Sequence, residues 1–223
     1  MEKMMEVYIM SLFDGFRKKK TEHPKVMQND FNKERTDVSN NNLDNDGSEG
    51  YYFENPLELA IYGMLCAKDK NVRWLSGDNY LVEYQKGYQF FEQGRYNKAI
   101  ETYKKSLELN PIGLRARFEI CEAYLALGNL SAARDTLLEM KDYLIEESSI
   151  ARFYRRMGYI EIEKGNYKVA TACYQYSRKF EANPLVAQEL MYIMSKAGKG
   201  VASKNPEKVL SKAKLPLLTT KSL

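Results

Sequence analysis

The sequence predicts an all-α protein: a right-handed α-solenoid of helix-turn-helix repeats with flanking helices and disordered tails. Three observations carry that expectation. A pattern of small and large side chains recurs three times between residues 80 and 183. An Asn-Pro pair opens an apolar, helix-periodic stretch on each side of the recurrences, at Asn55-Pro56 and Asn183-Pro184. Residues 21–50 and 197–223 sustain no such periodicity.

The first 20 residues, MEKMMEVYIMSLFDGFRKKK, place their cationic run after the apolar one. A secretory signal has the reverse order, so export is not expected. With Val7, Ile9, Leu12, Phe13 and Phe16 beside that run, the segment has two readings. The simpler is an unstructured leader, or a genuine start at Met10. The other is weak contact of residues 7–20 with an anionic membrane surface. Residues 21–50 are rich in Asn, Asp and Ser and hold almost no apolar side chains. They cannot bury enough surface to offset their ordering entropy, which predicts a disordered linker.

Residues 51–196 are the expected helical domain. In NPLELAIYGMLCAKDK (55–70), Asn55 suits an N-cap and Pro56 the first turn, while Leu57, Ile61, Met64 and Leu65 share a face. At the other end, NPLVAQELMYIMSK (183–196) places Val186, Leu190, Ile193 and Met194 similarly. Such flanking helices complete a stack whose terminal units would otherwise expose their core faces. About eight helices are expected over this span.

Between them lies the recurrence. Gly87, Gly94, Ala99 and Tyr103 are matched 34 residues on by Cys121, Gly128, Ala133 and Leu137. A further 37 residues on come Gly158, Gly165, Ala170 and Tyr174. Each unit makes sense as two helices. The first small residue permits close approach, and the second glycine ends a helix and turns the chain. The alanine is the small residue on the second helix, with a large knob one turn later. The units span about 80–113, 114–147 and 151–183, with three extra residues near YLIEESSI (143–150).

Residues 197–223 read as a basic, flexible tail. Residues 196–223 hold seven lysines against one glutamate, whereas 51–195 balance 19 cationic residues with 19 anionic ones. The net charge of +4 therefore belongs to the tail. A neutral body argues against specific nucleic-acid recognition, leaving only weak, salt-sensitive contact through the tail. The alternative for the leucine cluster Leu215, Leu217 and Leu218 is an internal ligand folded back into a groove.

Composition excludes much chemistry. The single histidine, His23, lies in the polar linker, so the helical body lacks the commonest general base and metal ligand. Cys66, Cys121 and Cys173 are odd in number, far apart and without a CxxC pair, which points to reduced, buried thiols in a cytoplasmic protein. No phosphate-cradling glycine motif occurs, and KAGKGVASK (196–204) lacks the spacing. Glu119, Glu122 and Asp135 are expected on helix faces without a convergent partner. No catalytic residue, cofactor or metal is expected.

The recurrence resembles the tetratricopeptide repeat, a 34-residue helix-turn-helix unit. Gly87–Phe90 and Cys121–Tyr124 match the family's small residue followed by an aromatic one, and Ala99–Tyr103 and Ala170–Tyr174 match its Ala-x3-aromatic element. The pattern departs at Glu83 and Arg117, where only the third unit, with Tyr154, is aromatic, and at Glu161.

The resemblance implies that the first helix of each unit lines a concave face. Equivalent positions then form rows: Tyr84, Phe118, Arg155; Tyr88, Glu122, Tyr159; Phe91, Leu125, Ile162; and Leu81, Arg115, Arg152. The candidate partner-binding residues are Tyr84, Tyr88, Phe91, Arg115, Phe118, Arg152, Arg155 and Tyr159. They predict a groove that is aromatic first and basic later, taking a protein or peptide segment with acidic or aromatic character. The competing reading packs Tyr84, Tyr88 and Phe91 on helix 55–70 and leaves the arginines solvated. Some family members grip an acidic C-terminus with a lysine/asparagine clamp; here Tyr84, Tyr88 and Glu119 occupy those places and only Arg152 and Arg156 suit it. The implied function is a non-enzymatic adaptor, with a chaperone-like or peripheral-membrane protein as the alternative. The oligomeric state is left open.

Overall fold

The chain enters its first helix as the Asn-Pro pair predicts. The computed structural model describes residues 48–67 and 71–220, all within the unit formed by residues 42–223. The leader, its membrane-contact reading over 7–20 and most of the expected linker lie outside the described residues. Helix α1, Pro56–Leu65, starts with the Asn55 side chain accepting from the Glu58 N–H at 3.0 Å. It ends at Leu65, short of the expected residue 70.

Two short strands flank it. β1, Glu49–Tyr51, pairs in parallel with β2, Val72–Trp74. The end of the expected linker is thus structured: Ser48 is buried and its hydroxyl accepts from Arg73 Nε at 2.9 Å. β1 also holds aromatic weight that the polar stretch before it lacks. The Tyr51 ring packs on Tyr62 at 5.0 Å, and Phe53 on Tyr62 at 5.6 Å.

Three helix pairs occupy the three recurrences: α2 Asn79–Glu92 with α3 Tyr96–Leu109, α4 Leu114–Ala126 with α5 Leu130–Glu139, and α6 Glu147–Glu163 with α7 Tyr167–Ser177. The turns share one geometry. Gly94, Gly128 and Gly165 have φ of 71°, 71° and 74°. The residue after each donates back to Phe90, Tyr124 and Glu161 respectively, the six-to-one bond that closes a helix over a left-handed glycine. The three extra residues lengthen α6 at its start, after a short 3-10 turn at Lys141–Tyr143.

The packing pairs are equally regular. Ala99, Ala133 and Ala170 are fully buried, as are Tyr103 and Leu137, with Tyr174 nearly so. A Cβ built on Gly87 would stand 2.7 Å from the Tyr103 ring, and one on Gly158 2.8 Å from the Tyr174 ring. A tyrosine knob therefore requires glycine opposite it. In the second unit the smaller Leu137 leaves room for Cys121.

Helix α8, Pro184–Ala197, follows α7 and buries Val186 and Ile193 beside Ala170 and Tyr174. The other flanking helix sits differently from expectation. α1 does not cover Tyr84, Tyr88 and Phe91, which form a cluster with Ala99 and Tyr103. Instead Ile61 and Tyr62 pack with Phe53 and Ile112, together with Tyr143 and Ile145 from the loops between repeats. Polar contacts fix this position: the buried Asn110 amide donates to Glu58 Oε2 at 2.8 Å, and Tyr52 N–H donates to the Leu109 carbonyl at 2.9 Å.

The C-terminal residues depart most from the sequence reading. Residues 206–218, expected to be flexible, form α9, Pro206–Lys212, and an extended stretch docked on the body. Leu210 and Leu215 are buried with Tyr154, Cys173 and Tyr176. The physical reason is that leucines hidden among lysines find an apolar face left open by α6 and α7. Among the described residues no helix is long and apolar enough to cross a membrane. The fold is an all-α solenoid with one small parallel strand pair.

Candidate functional site

Helices α2, α4 and α6 are the first helices of their units and carry all eight candidate residues. The structure buries four of the eight candidate residues, Tyr84, Phe91, Phe118 and Arg155, half-buries three and exposes one. Tyr84 and Phe91 are buried core residues. Tyr84 packs on Tyr103 with ring centroids 5.6 Å apart, and Phe91 meets Tyr96 edge-on at 5.2 Å. Tyr88, Arg152 and Tyr159 are half-buried. Arg115 is exposed and pairs with Glu54 at 3.1 Å, at the α1 end of the fold.

Phe118 and Arg152 are brought together across α4 and α6. Phe118 is buried, and the Arg152 guanidinium lies over its ring, 4.2 Å from the centroid. Arg155 is committed elsewhere: it is buried and its Nη1 donates to Glu181 Oε2 at 2.7 Å. The predicted row Tyr84, Phe118, Arg155 therefore does not form a continuous ligand-facing strip.

Carboxylates complete the site. Arg152 stands 3.5 Å from Glu119 and 3.8 Å from Glu122, and Arg156 pairs closely with Glu122. Glu119 and Glu122 are both buried, so the expectation that they lack a convergent partner is corrected. They lie one and two turns beyond Arg115 on α4, and Arg115 is the register equivalent of Arg152. The offset between neighbouring helices sets arginines on one against glutamates on the other. The expected increase in positive charge is consequently neutralised within the fold.

Burial governs the ionisation of these groups. Burial opposes the charge on Arg156, but Glu122 outweighs it and holds the guanidinium above its ordinary range. Arg155 is lowered, because burial exceeds the help from Glu181. Burial also raises the Glu189 carboxyl to about 7, with Arg156 and a hydrogen bond from Tyr174 acting against the rise. Tyr159 is raised to about 12, chiefly by burial and then by Glu163. The Tyr84 hydroxyl is likewise raised by burial and by Glu119.

Sequence reasoning missed Glu181 and Glu189 as members of this network and named Arg156 only as a fit to the clamp. The available signal was the run Arg152, Arg155, Arg156 one repeat after Glu119 and Glu122. Chemically, the arrangement offers one partly exposed cation on an aromatic base. The Arg152 side chain is 25% exposed, its carboxylate partners are beyond good hydrogen-bond distance, and its Nε is buried without a hydrogen-bond partner. Among the described residues no group of three or more His, Cys, Asp or Glu side chains is placed to hold a metal.

Comparison with curated proteins finds no match to this sequence. Several solved structures resemble the fold at low identity. The first tetratricopeptide domain of human RPAP3 has 23% identity and a TM-score of 0.47, covering 56% of this chain and 95% of its own. The Yersinia enterocolitica type III secretion chaperone SycD, solved with a peptide of the translocator YopD, has 19% identity and a TM-score of 0.48, covering 54% and 96%. The Sgt2 domain of Aspergillus fumigatus has 16% identity and a TM-score of 0.47, covering 56% and 82%. Residues 90–143 match the tetratricopeptide repeat family model. Residues 90–143 therefore carry a tetratricopeptide repeat, and all three units share its glycine turn and its buried small-to-large pair.

Proposed function

We propose that this protein is a non-enzymatic adaptor that binds a peptide segment of a partner protein in the groove bordered by α2, α4 and α6. The observation that carries the reading is Arg152. It is partly exposed, stacked on Phe118 and left with donor capacity by distant carboxylates. Half-buried Tyr88 on α2 and Tyr159, two turns on from Arg152 on α6, supply flat contact area. Helical repeat arrays create extended concave surfaces of this kind for recognition.

The partner segment is one that offers Arg152 an acceptor, a carboxylate or a carbonyl, next to an aromatic or apolar side chain. Strong selection for many negative charges is not part of the reading, because Glu119, Glu122 and Glu181 already balance the arginines. A cytoplasmic location fits the free cysteines Cys66, Cys121 and Cys173.

The test compares partners captured by the full chain and by Arg152→Gln and Tyr88→Ala variants, each checked for folding by circular dichroism. Loss of the same partner from both variants supports the groove. An unchanged partner list overturns it.

A further inference from the structure

The C-terminal segment docks on a different face of α6 from the groove. Tyr154 is two residues from Arg152, which places it about 200° round the helix. Its hydroxyl donates to the Pro216 carbonyl at 2.7 Å and accepts from the Leu218 N–H at 2.8 Å. The Tyr176 hydroxyl on α7 donates to the Leu218 carbonyl at 3.0 Å. All three bonds engage main-chain groups of one extended stretch.

The surface below is aromatic. Tyr154 and Tyr176 meet edge-on at 4.7 Å, Tyr176 and Phe180 at 5.5 Å, and Tyr154 stacks with Phe180 at 6.3 Å. Leu215 enters this cluster and is buried, while Leu217 points to solvent at 44% exposure. Pro216 carries no N–H, so no donor is left orphaned against the rings. Backbone hydrogen bonds for grip and pockets for alternate side chains are how proteins hold extended peptides.

The covalent link to the body is short, with Val201 packed on the α7–α8 cluster and Leu210 of α9 fully buried. Residues 198–205 link α8 to α9 along a mostly exposed path, with Gly198 at φ 79° and a second glycine, Gly200. The Lys179–Glu207 ion pair beside it is solvent-exposed and contributes little.

We infer that α6 and α7 form a second peptide site, separate from the groove, which binds an extended Leu-Pro-x-Leu segment by its backbone. Residues 215–218 are its resident ligand, exchangeable for a partner protein's segment of the same chemistry. While the tail is tethered, its effective concentration is about millimolar, so an outside segment competes only when abundant or when the tail is released.

The experiment uses the full chain with a specific protease sequence inserted between Ala202 and Ser203, cut after folding. A fluorescent synthetic copy of residues 205–220 is added and its anisotropy measured. The peptide is expected to bind the cut chain with a dissociation constant of about 1–100 µM, and the uncut chain at least about tenfold more weakly. Tyr154→Phe is expected to weaken binding about tenfold. If that variant does not fold, a peptide N-methylated at Leu218 makes the same test from the other side.

The proposal is overturned if the cut tail never exchanges, since it is then a permanent part of the core. It is equally overturned if the body unfolds when the tail leaves. Binding that ignores both Tyr154→Phe and the N-methyl group also overturns it, because backbone recognition would then be absent.

Discussion

The Arg152 guanidinium lies over the buried Phe118 ring, 4.2 Å from its centroid, on a floor that also contains Glu119 and Glu122. Stacking and charge therefore act on one side chain. Arg152→Ala removes both and leaves two buried carboxylates with one cation fewer. The expected loss is about 1–3 kcal/mol at neutral pH. Arg152→Lys keeps the charge without the planar stack, and the expected loss falls to about 0.5–1 kcal/mol. Urea unfolding of the three proteins measures both steps; equal losses for the two variants would show that stacking dominates.

Glu189 gives the fold a pH dependence of definite sign. Its carboxyl titrates near 7 in the folded chain, against 4.5 ordinarily. The folded state thus binds the proton more tightly than the unfolded state. The group's contribution is most favourable below pH 4.5, is lost as pH rises to about 7, and is constant above that. Glu189→Gln cannot ionise, so its advantage over the parent should grow across this window to at most about 3 kcal/mol. Paired unfolding curves from pH 4.5 to 8 read the difference directly, and a pH-independent difference would contradict it.

The helix pairs were legible because backbone and volume constraints leave marks in the sequence. A left-handed turn needs glycine, and a tyrosine facing a helix backbone needs glycine too. Gly94 and Gly87 carry these two signals separately. The charge network was less legible. Spacing identifies equivalent positions but not the offset between neighbouring helices, and that offset decides whether Arg152 meets Glu119 or solvent. The position of α1 was missed for a related reason. Leu57, Ile61, Met64 and Leu65 look like one apolar face, yet Met64 and Leu65 are exposed and Ile61 turns toward Ile112. In the tail, lysines masked Leu210 and Leu215.

The two glycine roles predict different responses to one added methyl group. Gly94→Ala meets no atom within 4 Å but must hold φ near 71°, which costs about 1–2 kcal/mol. Gly87→Ala has an ordinary helical backbone but strikes the Tyr103 ring, costing about 1–3 kcal/mol. Only the second is relieved by shrinking the knob. Gly87→Ala with Tyr103→Leu reproduces the small-to-leucine arrangement of Cys121 and Leu137 and should be more stable than the sum of the single losses. Gly94→Ala with Tyr103→Leu should simply add. A double-mutant cycle by thermal unfolding distinguishes the two.

The docked tail turns at Lys214, whose φ is 55°. It is the second residue after α9, where the chain reverses, with its N–H bonded to the Ser211 carbonyl and the Leu215 N–H to the Leu210 carbonyl. The same closure ends α2, α4 and α6, but with glycine each time. A lysine there carries left-handed strain that only docking sustains. Lys214→Gly removes the Cβ conflict, partly offset by the greater freedom of glycine in the undocked tail. The expected net gain is about 0.5–1 kcal/mol in tail docking. It should appear as slower hydrogen exchange at the Leu215 and Leu218 amides, about twofold to fivefold, with no change at amides of α2 and α3. Faster exchange at Leu215 would mean that entropy outweighs strain, and uniform slowing across the chain would mean that the tail opens only when the whole body does.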